Sequence, residues 1–370
     1  MTSQPFALAL CFRGEVESSR TWSGTPARLL ASIAPLVEAC ETVNYELGSR
    51  ASLAMRATSR LFRTHDTSRN AWFNKTIERQ FENRWRALRW PPDACLFISD
   101  FCIPERLTPA AKYFVYTDAA LPAIARYQSR PVRPTFVRDY RVLTRRYLDR
   151  TSMVFTMNEW TREFYIDEYD FPADRVVNVG FGINVAPFFG PKDYSRQLML
   201  IVLRPNTEEN KGLNLLLAAW PDIRAALPQA ELAVVGTELE SRPLGVTYYV
   251  NQPREKTVEL MHEASLFVMP ALCEANGIVY PEALASRTPI LGLDRLAFPE
   301  FAGYGKYGFI VKEPKPALVA QKVVEALSQP SVLQRMGQGG QRFAMSNYSW
   351  DRTAKLMVDA MAEQVAASKA

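Results

Sequence analysis

The chain has few of the residue types on which metal sites and nucleophile triads depend. Its 370 residues include two histidines, His65 and His262, so a Ser-His-Asp triad or a two-histidine metal site is not expected. The five cysteines are odd in number, and no pair has the spacing of a zinc site. No Asp-x-Asp motif occurs. These absences direct attention to chemistry that rests on carboxylates, Arg and Lys.

The sequence also has no long apolar run. Stretches such as LNLLLAAW are far too short to span a bilayer. The segment MTSQPFALALCFRGE lacks a basic start, and its apolar run has only the length of a strand, so we do not expect a signal peptide. The sparse cysteines indicate a reduced compartment. We therefore expect a cytoplasmic protein.

Charge is distributed unevenly along the chain. Residues 1–150 contain 23 Lys and Arg against 14 Asp and Glu, whereas the remainder contains 21 against 25. Ten of the basic residues lie between Arg50 and Arg89, together with only three acids. Aromatic and apolar residues recur there at helical spacing, namely Trp72, Phe73, Ile77, Phe81 and Trp85. The stretch suits an anionic membrane surface or, alternatively, a solvated basic helix with a buried aromatic stripe.

Strand and helix signals alternate, which predicts an α/β fold with mainly parallel sheets. Thr25 and Pro26 suit the cap and first turn of an early helix, and further helices are expected over 70–88 and 135–149. The Gly- and Pro-containing segment 179–195 predicts a linker. The expected strands before it are PFALAL, TVNYEL, ACLFIS, YFVYT and SMVFTM. Those after it are 198–203, ELAVVG, VTYYV, LFVMP, PILGL and GFIV.

The most informative motif is EANGIVYPE, which Glu274 and Glu282 bracket. The apolar segment before it predicts a buried strand, so Glu274 falls in a strand-to-helix loop and Glu282 in the helix that follows. Such loops bind ligands in open α/β sheets. Gly277 would let the backbone approach a ligand closely. The two carboxylates can accept hydrogen bonds from sugar hydroxyls.

Three segments together resemble a known family. ALCEANGIVYPEALASRTPI is similar to the donor-site signature of retaining GT-B glycosyltransferases, family 4. LIVLRPNTEENKGLNLLLAAW resembles the strand, Arg, Lys-Gly and helix that hold the donor diphosphate there, and ELAVVGTE resembles the next strand and turn. Order and spacing are intact over residues 195–327, whereas the first 190 residues show only a weak resemblance.

The resemblance implies an α/β fold of the GT-B class, with two Rossmann-like domains facing each other across a cleft. Residues 1–190 would form an acceptor-binding domain and residues 191–348 a nucleotide-sugar-binding domain. Residues 349–370 would form a helix that packs back on the first domain. The family needs no metal, so no metal and no cofactor besides the donor are expected.

The resemblance also assigns roles to individual residues of the second domain. Arg204 and Lys211 would stabilise charge on the leaving diphosphate. Glu274 would bind hydroxyls of the donor sugar, and Glu282 would bind the ribose. Leu203 departs from the family, which usually has Gly before the Arg, and the loop to Lys211 is slightly long. Backbone N–H groups near Asn276, Gly277 and Ile278 would contact sugar or phosphate, and Val250 and Asn251 occupy the place where the nucleobase packs.

Two positions of the first domain carry weaker signals. Gly24 resembles the glycine loop that approaches donor phosphate and acceptor, although a plain helix cap is an equal alternative. Asp118 stands where many relatives have a His bonded to the donor sugar, and a subset of the family has the same TDA sequence. Asp118 would contact the sugar or the incoming hydroxyl, or it would serve as a helix N-cap.

The function implied is retaining transfer of a sugar from a nucleotide sugar to a glycan or lipid-linked acceptor, in polysaccharide or glycolipid biosynthesis. Two alternatives stay open. One is a catalytically inactive relative that binds a nucleotide sugar or a glycan. The other is a nucleic-acid binder, but the Arg residues show no binding motif, so no nucleic acid is expected as a partner. The basic first domain would place the enzyme peripherally on the inner membrane face.

Overall fold

A computed structural model describes residues 5–18, 21–45, 71–99, 103–104, 111–119, 121–128 and 131–369. The side chains of Ser23, 71–75 and 368–369 lie outside the described part. The chain forms two compact units. The first comprises described residues within Met1–Ala125, Val132–Gly182 and Trp350–Ala370, and the second those within Arg126–Pro131 and Ile183–Ser349.

The first unit is built on a parallel sheet. Among the described residues its strands follow the spatial order β2-β1-β3-β4-β5-β6. They are β1 (Ala7–Phe12), β2 (Ala39–Asn44), β3 (Ala94–Ile98), β4 (Lys112–Thr117), β5 (Thr151–Thr156) and β6 (Val176–Asn178). The apolar runs explain the burial of β3 and nearly all of β4, since a parallel strand is covered on both faces.

The helices of the first unit lie in the connections between these strands. They are α1 (Thr25–Ile33), α2 (Ala71–Arg86), α3 (Leu121–Ile124), α4 (Pro134–Leu148) and α5 (Glu159–Tyr169). The N-cap of α1 is Gly24, with φ of 79°, and Thr25 makes no capping bond. The predicted Thr25 cap is therefore wrong, because the left-handed backbone at this turn suits the glycine before it. Strand β6 and helix α5 were not predicted.

Helices α2 and α4 pack on the same face of the first sheet. Ile77 and Phe81 of α2 and Tyr147 of α4 join one buried cluster with strand residues such as Val43 and Phe97. Trp85 is partly buried against it, whereas the side chains of Trp72 and Phe73 lie outside the described part. The described part of the stripe, from Ile77 to Trp85, thus belongs to the core, as the solvated-helix alternative expects.

The last helix belongs to the first unit. Helix α12 (Trp350–Lys369) packs against α1, and Arg352 and Thr353 donate hydrogen bonds to the backbone O of Val179. Gly182 lies flat on the indole of Trp350, where an added Cβ would be 2.2 Å from the ring. A side chain at 182 would therefore displace the start of α12.

The second unit contains another parallel sheet, with the order β12-β11-β10-β7-β8-β9 among the described residues. Its strands are β7 (Leu198–Val202), β8 (Glu231–Val235), β9 (Val246–Tyr249), β10 (Leu266–Val268), β11 (Ile290–Leu293) and β12 (Gly308–Val311). Its helices are α6 (Leu213–Ala226), α7 (Arg254–Glu263), α8 (Val279–Ala285), α9 (Phe298–Phe301), α10 (Pro316–Leu327) and α11 (Pro330–Asn347). The predicted α/β fold with two parallel sheets is confirmed.

Residues 183–195 belong to the second unit, although a domain boundary at 190 was expected. Backbone bonds explain the difference, since the N–H of Phe188 donates to the O of Ala285 at 3.1 Å. Lys192 adds hydrogen bonds to the backbone O atoms of Met261 and Ser286. Within the described ranges, no helix has the length and apolar character needed to cross a membrane.

Candidate donor-binding site

The second sheet has its topological switch point beside β7. Strand β7 pairs with β10 on one side and β8 on the other, so the loops that follow these three strands meet at the carboxyl edge. Ligands of open α/β sheets bind at this place. The loop after β7 carries Arg204 and Lys211, and the loop after β10 carries Glu274. Fold topology therefore brings together the residues that the sequence motifs indicated.

A close approach of two backbones positions Lys211. Helix α6 begins after Gly212, which caps it with φ of 78°, so Lys211 lies just before the helix rather than opening it. A Cβ on Gly212 would stand 2.0 Å from the backbone O of Pro270. Only glycine permits this contact between the β7 and β10 loops.

Lys211 and Glu274 form the centre of the site. The Lys211 Nζ forms an ion pair with Oε2 of Glu274, and both side chains are about four-fifths buried. The N–H of Gly277 donates to Oε1 of Glu274 at 2.9 Å. Both carboxylate oxygens are thus engaged, which fixes the orientation of Glu274 before any ligand binds. Glycine suits position 277 for two reasons. Its φ is 62°, in the left-handed region, and an added Cβ would lie 2.7 Å from the Tyr280 ring.

Lys211 lies in a region of low solvation. Burial, and next the charge of Arg204, lower the pKa of Lys211 to about 8. The charge of Cys273 opposes this shift. Burial raises the pKa of the neighbouring Cys273 thiol, and Lys211 partly opposes that change. The lysine therefore holds a charge that a bound anion would stabilise further.

Arg204 is exposed, two residues beyond the end of β7. Its backbone is held by Thr207, whose hydroxyl donates to the O of Arg204 at 2.6 Å. The preceding Leu203 is buried, and Gly236 of the β8 loop approaches it so closely that a Cβ would be 1.9 Å from the Leu203 O. The loops that follow β7 and β8 therefore approach each other closely at Leu203 and Gly236.

Glu282 lies in α8 and is almost fully buried. Its Oε1 accepts hydrogen bonds from the Arg254 guanidinium at 2.8 Å and from the N–H of Asn184 at 3.2 Å. Burial raises the pKa of Glu282, while Arg254 and the two hydrogen bonds lower it. Sequence reasoning missed Arg254 and Asn184. The available signal was the position of Arg254, immediately after the predicted nucleobase segment.

The remaining predicted donor contacts lie around these two carboxylates. Asn276 is buried, and Ile278 is the residue before α8. Val250 and Asn251 follow the edge strand β9, with Asn251 exposed and in the left-handed region at φ of 53°. The same loop leads to Arg254, which reaches Glu282. The predicted nucleobase segment is therefore connected to the predicted ribose residue by one ion pair.

Asp118 and Gly24 belong to the first unit, where Asp118 follows β4. The hydroxyl of Thr161 donates to the backbone O of Asp118 at 2.9 Å. Burial raises the pKa of Asp118 to about 6, although hydrogen bonds from the N–H groups of Asp118 and Ala119 oppose the shift. A carboxyl group that titrates near neutrality is typical of functional sites. Gly24 is the cap of α1, as its structural alternative expects.

The described residues contain no group of three or more His, Cys, Asp or Glu that could hold a metal ion. His262 stacks on Phe188, with ring centroids 4.1 Å apart, and is half-buried. His65 lies outside the described residues. The chemical groups described at the carboxyl edge of the second sheet include two carboxylates, a buried ammonium and two guanidinium groups, which suit a ligand with hydroxyls and an anionic group.

Residues 192–343 match the family model described as Glycosyl transferases group 1. The GDP-mannose-dependent alpha-(1-6)-phosphatidylinositol monomannoside mannosyltransferase of Mycolicibacterium smegmatis is 28% identical over 158 residues, which cover 38% of this chain and 41% of that protein. The phosphatidyl-myo-inositol mannosyltransferase of Propionibacterium freudenreichii is 26% identical over 182 residues, covering 47% of each chain. The chain thus spans less than half the length of these curated relatives.

Solved structures extend the likeness to the whole chain. The alpha,alpha-trehalose 6-phosphate synthase of Burkholderia multivorans superposes with a TM-score of 0.74 at 12% identity, over 99% of this chain and 100% of that one. The sucrose-phosphate synthase of Thermosynechococcus elongatus gives 0.72 at 14% identity, over 98% and 100%. At these identities the likeness shows the fold alone. Residues 192–343 therefore belong to the glycosyl transferases group 1 family, and the chain as a whole has the GT-B fold of two Rossmann-like domains.

Proposed function

We propose that the chain is a retaining glycosyltransferase that moves a sugar from a nucleotide-sugar donor to a glycan or lipid-linked acceptor. The observation that supports this most directly is the Lys211–Glu274 ion pair at the switch point of the second sheet. It places a cation for a diphosphate beside a carboxylate for sugar hydroxyls. The family match over residues 192–343 supports the same assignment.

In the proposed mechanism the two cations act on the leaving group. Lys211 has further N–H donors besides the one directed at Glu274, and it would direct them at the diphosphate together with Arg204. Stabilising charge as it develops on the leaving diphosphate is usually the largest catalytic contribution of such groups. Glu274, held by Lys211 and Gly277, would accept hydrogen bonds from the donor sugar. Glu282 would bind the ribose, and the backbone beside Asn276 and Ile278 would contact sugar or phosphate.

The acceptor hydroxyl would attack from the face that the nucleotide leaves. A phosphate oxygen of the departing diphosphate would take the proton of that hydroxyl as the new bond forms. This course retains the configuration at the anomeric carbon and requires no dedicated protein base. Asp118 would contact the sugar or the incoming hydroxyl, and Gly24 would approach donor phosphate and acceptor. No metal and no further cofactor enters the scheme.

We further propose that the first unit binds an anionic membrane surface from a cytoplasmic location. Helices α2 and α4 cover the same face of the first sheet, and their outward sides carry exposed arginines. Because Ile77 and Phe81 are buried, attraction between charges rather than insertion of aromatic rings would carry the binding. The exposed residues are Arg79, Arg84, Arg86, Arg138, Arg145 and Arg146.

Thermal-shift screening against a panel of nucleotide sugars, with GDP-mannose, UDP-glucose and ADP-glucose as the first probes, tests the proposed function. A donor at a hundred times its Kd stabilises the folded state by about 2.7 kcal/mol. A rise in Tm with one donor base, together with formation of a glycosylated product, would support the proposal. Binding without turnover would indicate the inactive relative instead.

A further inference from the structure

The side chain of Glu282 is held by one of its two oxygens. Its Oε1 accepts hydrogen bonds from Arg254 and from the N–H of Asn184, whereas Oε2 accepts none from the residues that the structure describes. Only 9% of this side chain is exposed. A ligand that approaches Glu282 therefore meets Oε2, with its lone pairs available. A ribose offers two neighbouring hydroxyl groups as donors.

Both donors to Oε1 are fixed by the backbone that carries them. Arg254 is the first residue of α7, after Pro253. Asn184 lies in the segment that is bound along α8, where the N–H of Phe188 donates to the O of Ala285. The two donors thus come from separate parts of the second unit.

Arg254 is the charged side chain that faces this carboxylate. Two further basic side chains near α8 have other partners: Lys192 donates to the backbone O of Ser286, and Arg287 donates to the backbone O of Gly190. Asn184, in the segment that is bound along α8, contributes its backbone N–H. Since 52% of the Arg254 side chain is exposed, water screens the pair on one side. Orientation of the carboxylate is therefore the stronger part of its effect.

We propose that Arg254 is a positioning residue for donor recognition. Together with the Asn184 N–H it binds Oε1 of Glu282, and this orients the carboxylate so that Oε2 faces the ribose hydroxyls. The inference rests on the proposed function, because it needs Glu282 to contact the donor's ribose. It deepens that function by adding a residue that touches the ligand only through Glu282. The predicted nucleobase segment, Val250 and Asn251, lies on the same loop, so base recognition and ribose recognition would be coupled.

Loss of Arg254 should change how nucleotide affinity depends on pH. Burial raises the pKa of Glu282 and the charge of Arg254 lowers it, so removal of Arg254 raises that pKa further. As the pH falls, the carboxylate of the variant would then be protonated earlier than that of the wild type. Its affinity for nucleotide would decline at a higher pH. This decline of affinity at low pH is the acid limb of the pH profile. A variant that lacks the Glu282 carboxylate would not show it.

The test measures affinity for GDP, UDP and ADP across the pH range, with Arg254→Gln, Arg254→Lys, Glu282→Gln and the Arg254→Gln/Glu282→Gln double variant. We expect Arg254→Gln to weaken the best-bound nucleotide roughly tenfold, as for one lost charged hydrogen bond, with the acid limb moved to higher pH. Arg254→Lys should recover part of the loss.

The double variant should bind no more weakly than Glu282→Gln, because the two residues act as one unit. In turnover, donor KM should rise while kcat changes little.

Arg196→Gln is the matched control. Arg196 is similarly exposed and pairs with Glu231 and Glu263 at 3.1 and 3.0 Å, before the first strand of the same unit. Its removal should leave nucleotide affinity unchanged. If wild-type protein binds a nucleotide but Arg254→Gln keeps its affinity and its pH profile, the inference about Arg254 fails alone. If the wild type binds none of the three nucleotides and turns over no donor, the proposed function fails, and the inference fails with it.

Discussion

Lys211 and Glu274 form an ion pair across two neighbouring loops of the second sheet, although they are far apart in the sequence. Glu274 is held from the other side by the N–H of Gly277. The pair means that the predicted diphosphate residue and the predicted sugar residue are in contact before a donor arrives. Preorganised charge of this kind needs no rearrangement at the moment of reaction.

The first prediction concerns Lys211. Replacement by Ala removes a charged donor from the proposed diphosphate site, so nucleoside diphosphate affinity should fall by about 1.5–3 kcal/mol, the usual value for a charged hydrogen bond. Isothermal titration with GDP, UDP and ADP measures the loss. Lys322→Ala, which removes a partly exposed cation of α10, provides the control. Unchanged affinity in Lys211→Ala would place the phosphate site elsewhere.

The second prediction concerns Gly277. An Ala side chain there would lie 2.7 Å from the Tyr280 ring and 3.0 Å from Cγ of Glu274, so it should displace Glu274 and weaken donor binding. The positive φ adds a stability cost of about 1–3 kcal/mol. Gly305→Ala is a suitable comparison, because Gly305 has φ of 100° with no atom within 4 Å of an added Cβ. It should lower Tm and leave donor binding intact, and an equal loss of binding in both variants would argue against the role of Gly277.

The third prediction concerns Asp118. Its folded-state pKa of about 6 lies above the ordinary value of 3.8, so the favourable contribution of the protonated carboxyl to stability is lost as the pH rises toward and through about 6. Asp118→Asn should therefore raise Tm at pH values above about 6. If the carboxylate contacts the sugar or the incoming hydroxyl, the activity of the wild type should rise as the pH passes through about 6. The same variant should lose transfer activity and should not show this rise.

Exposed Asp174 of the first unit provides the control for that experiment. Asp174→Asn should change neither the activity nor its dependence on pH. Full activity of Asp118→Asn with an unaltered pH profile would reduce Asp118 to a turn residue, held by Thr161 and Asn158 through its backbone.

The fourth prediction concerns the membrane. Replacing Arg79, Arg84 and Arg86 by Gln should weaken binding to vesicles that contain phosphatidylglycerol by up to about 3 kcal/mol, since each basic residue near an anionic surface contributes about 1 kcal/mol. Co-sedimentation at increasing salt measures the effect. A variant with Arg242, Lys312 and Lys315 replaced by Gln loses the same charge from the second unit and should bind like the wild type. Equal losses in both variants would show a general effect of net charge.

Much of the fold was predictable because buried parallel strands are continuous apolar runs. ELAVVG, for example, gives β8 at Glu231–Val235, and PILGL gives β11 at Ile290–Leu293. The short edge strand Val176–Asn178 was not predicted, since three residues carry too little pattern. Thr25 was assigned as a cap because Thr often is one, whereas the backbone required the glycine before it.

The site residues were found through motif resemblance, but their contacts were not. Which partner Lys211 has depends on how closely two loops pack, and that depends on Gly212 against the Pro270 backbone. Arg254 carries no motif, and its pairing with Glu282 follows from the place where α7 begins. The close approach of Gly236 to the backbone of Leu203 likewise becomes visible only when the two loops are seen together.

The central claim is tested most directly by comparing turnover of a nucleotide sugar in wild type and in Glu274→Ala. The experiment follows both the release of nucleoside diphosphate and the formation of product. Glu238→Ala, which removes an exposed carboxylate paired with Arg242, is the control. We expect wild type and Glu238→Ala to transfer sugar with retained anomeric configuration, and Glu274→Ala to lose transfer while staying folded. Near-wild-type transfer by a folded Glu274→Ala variant would contradict the account.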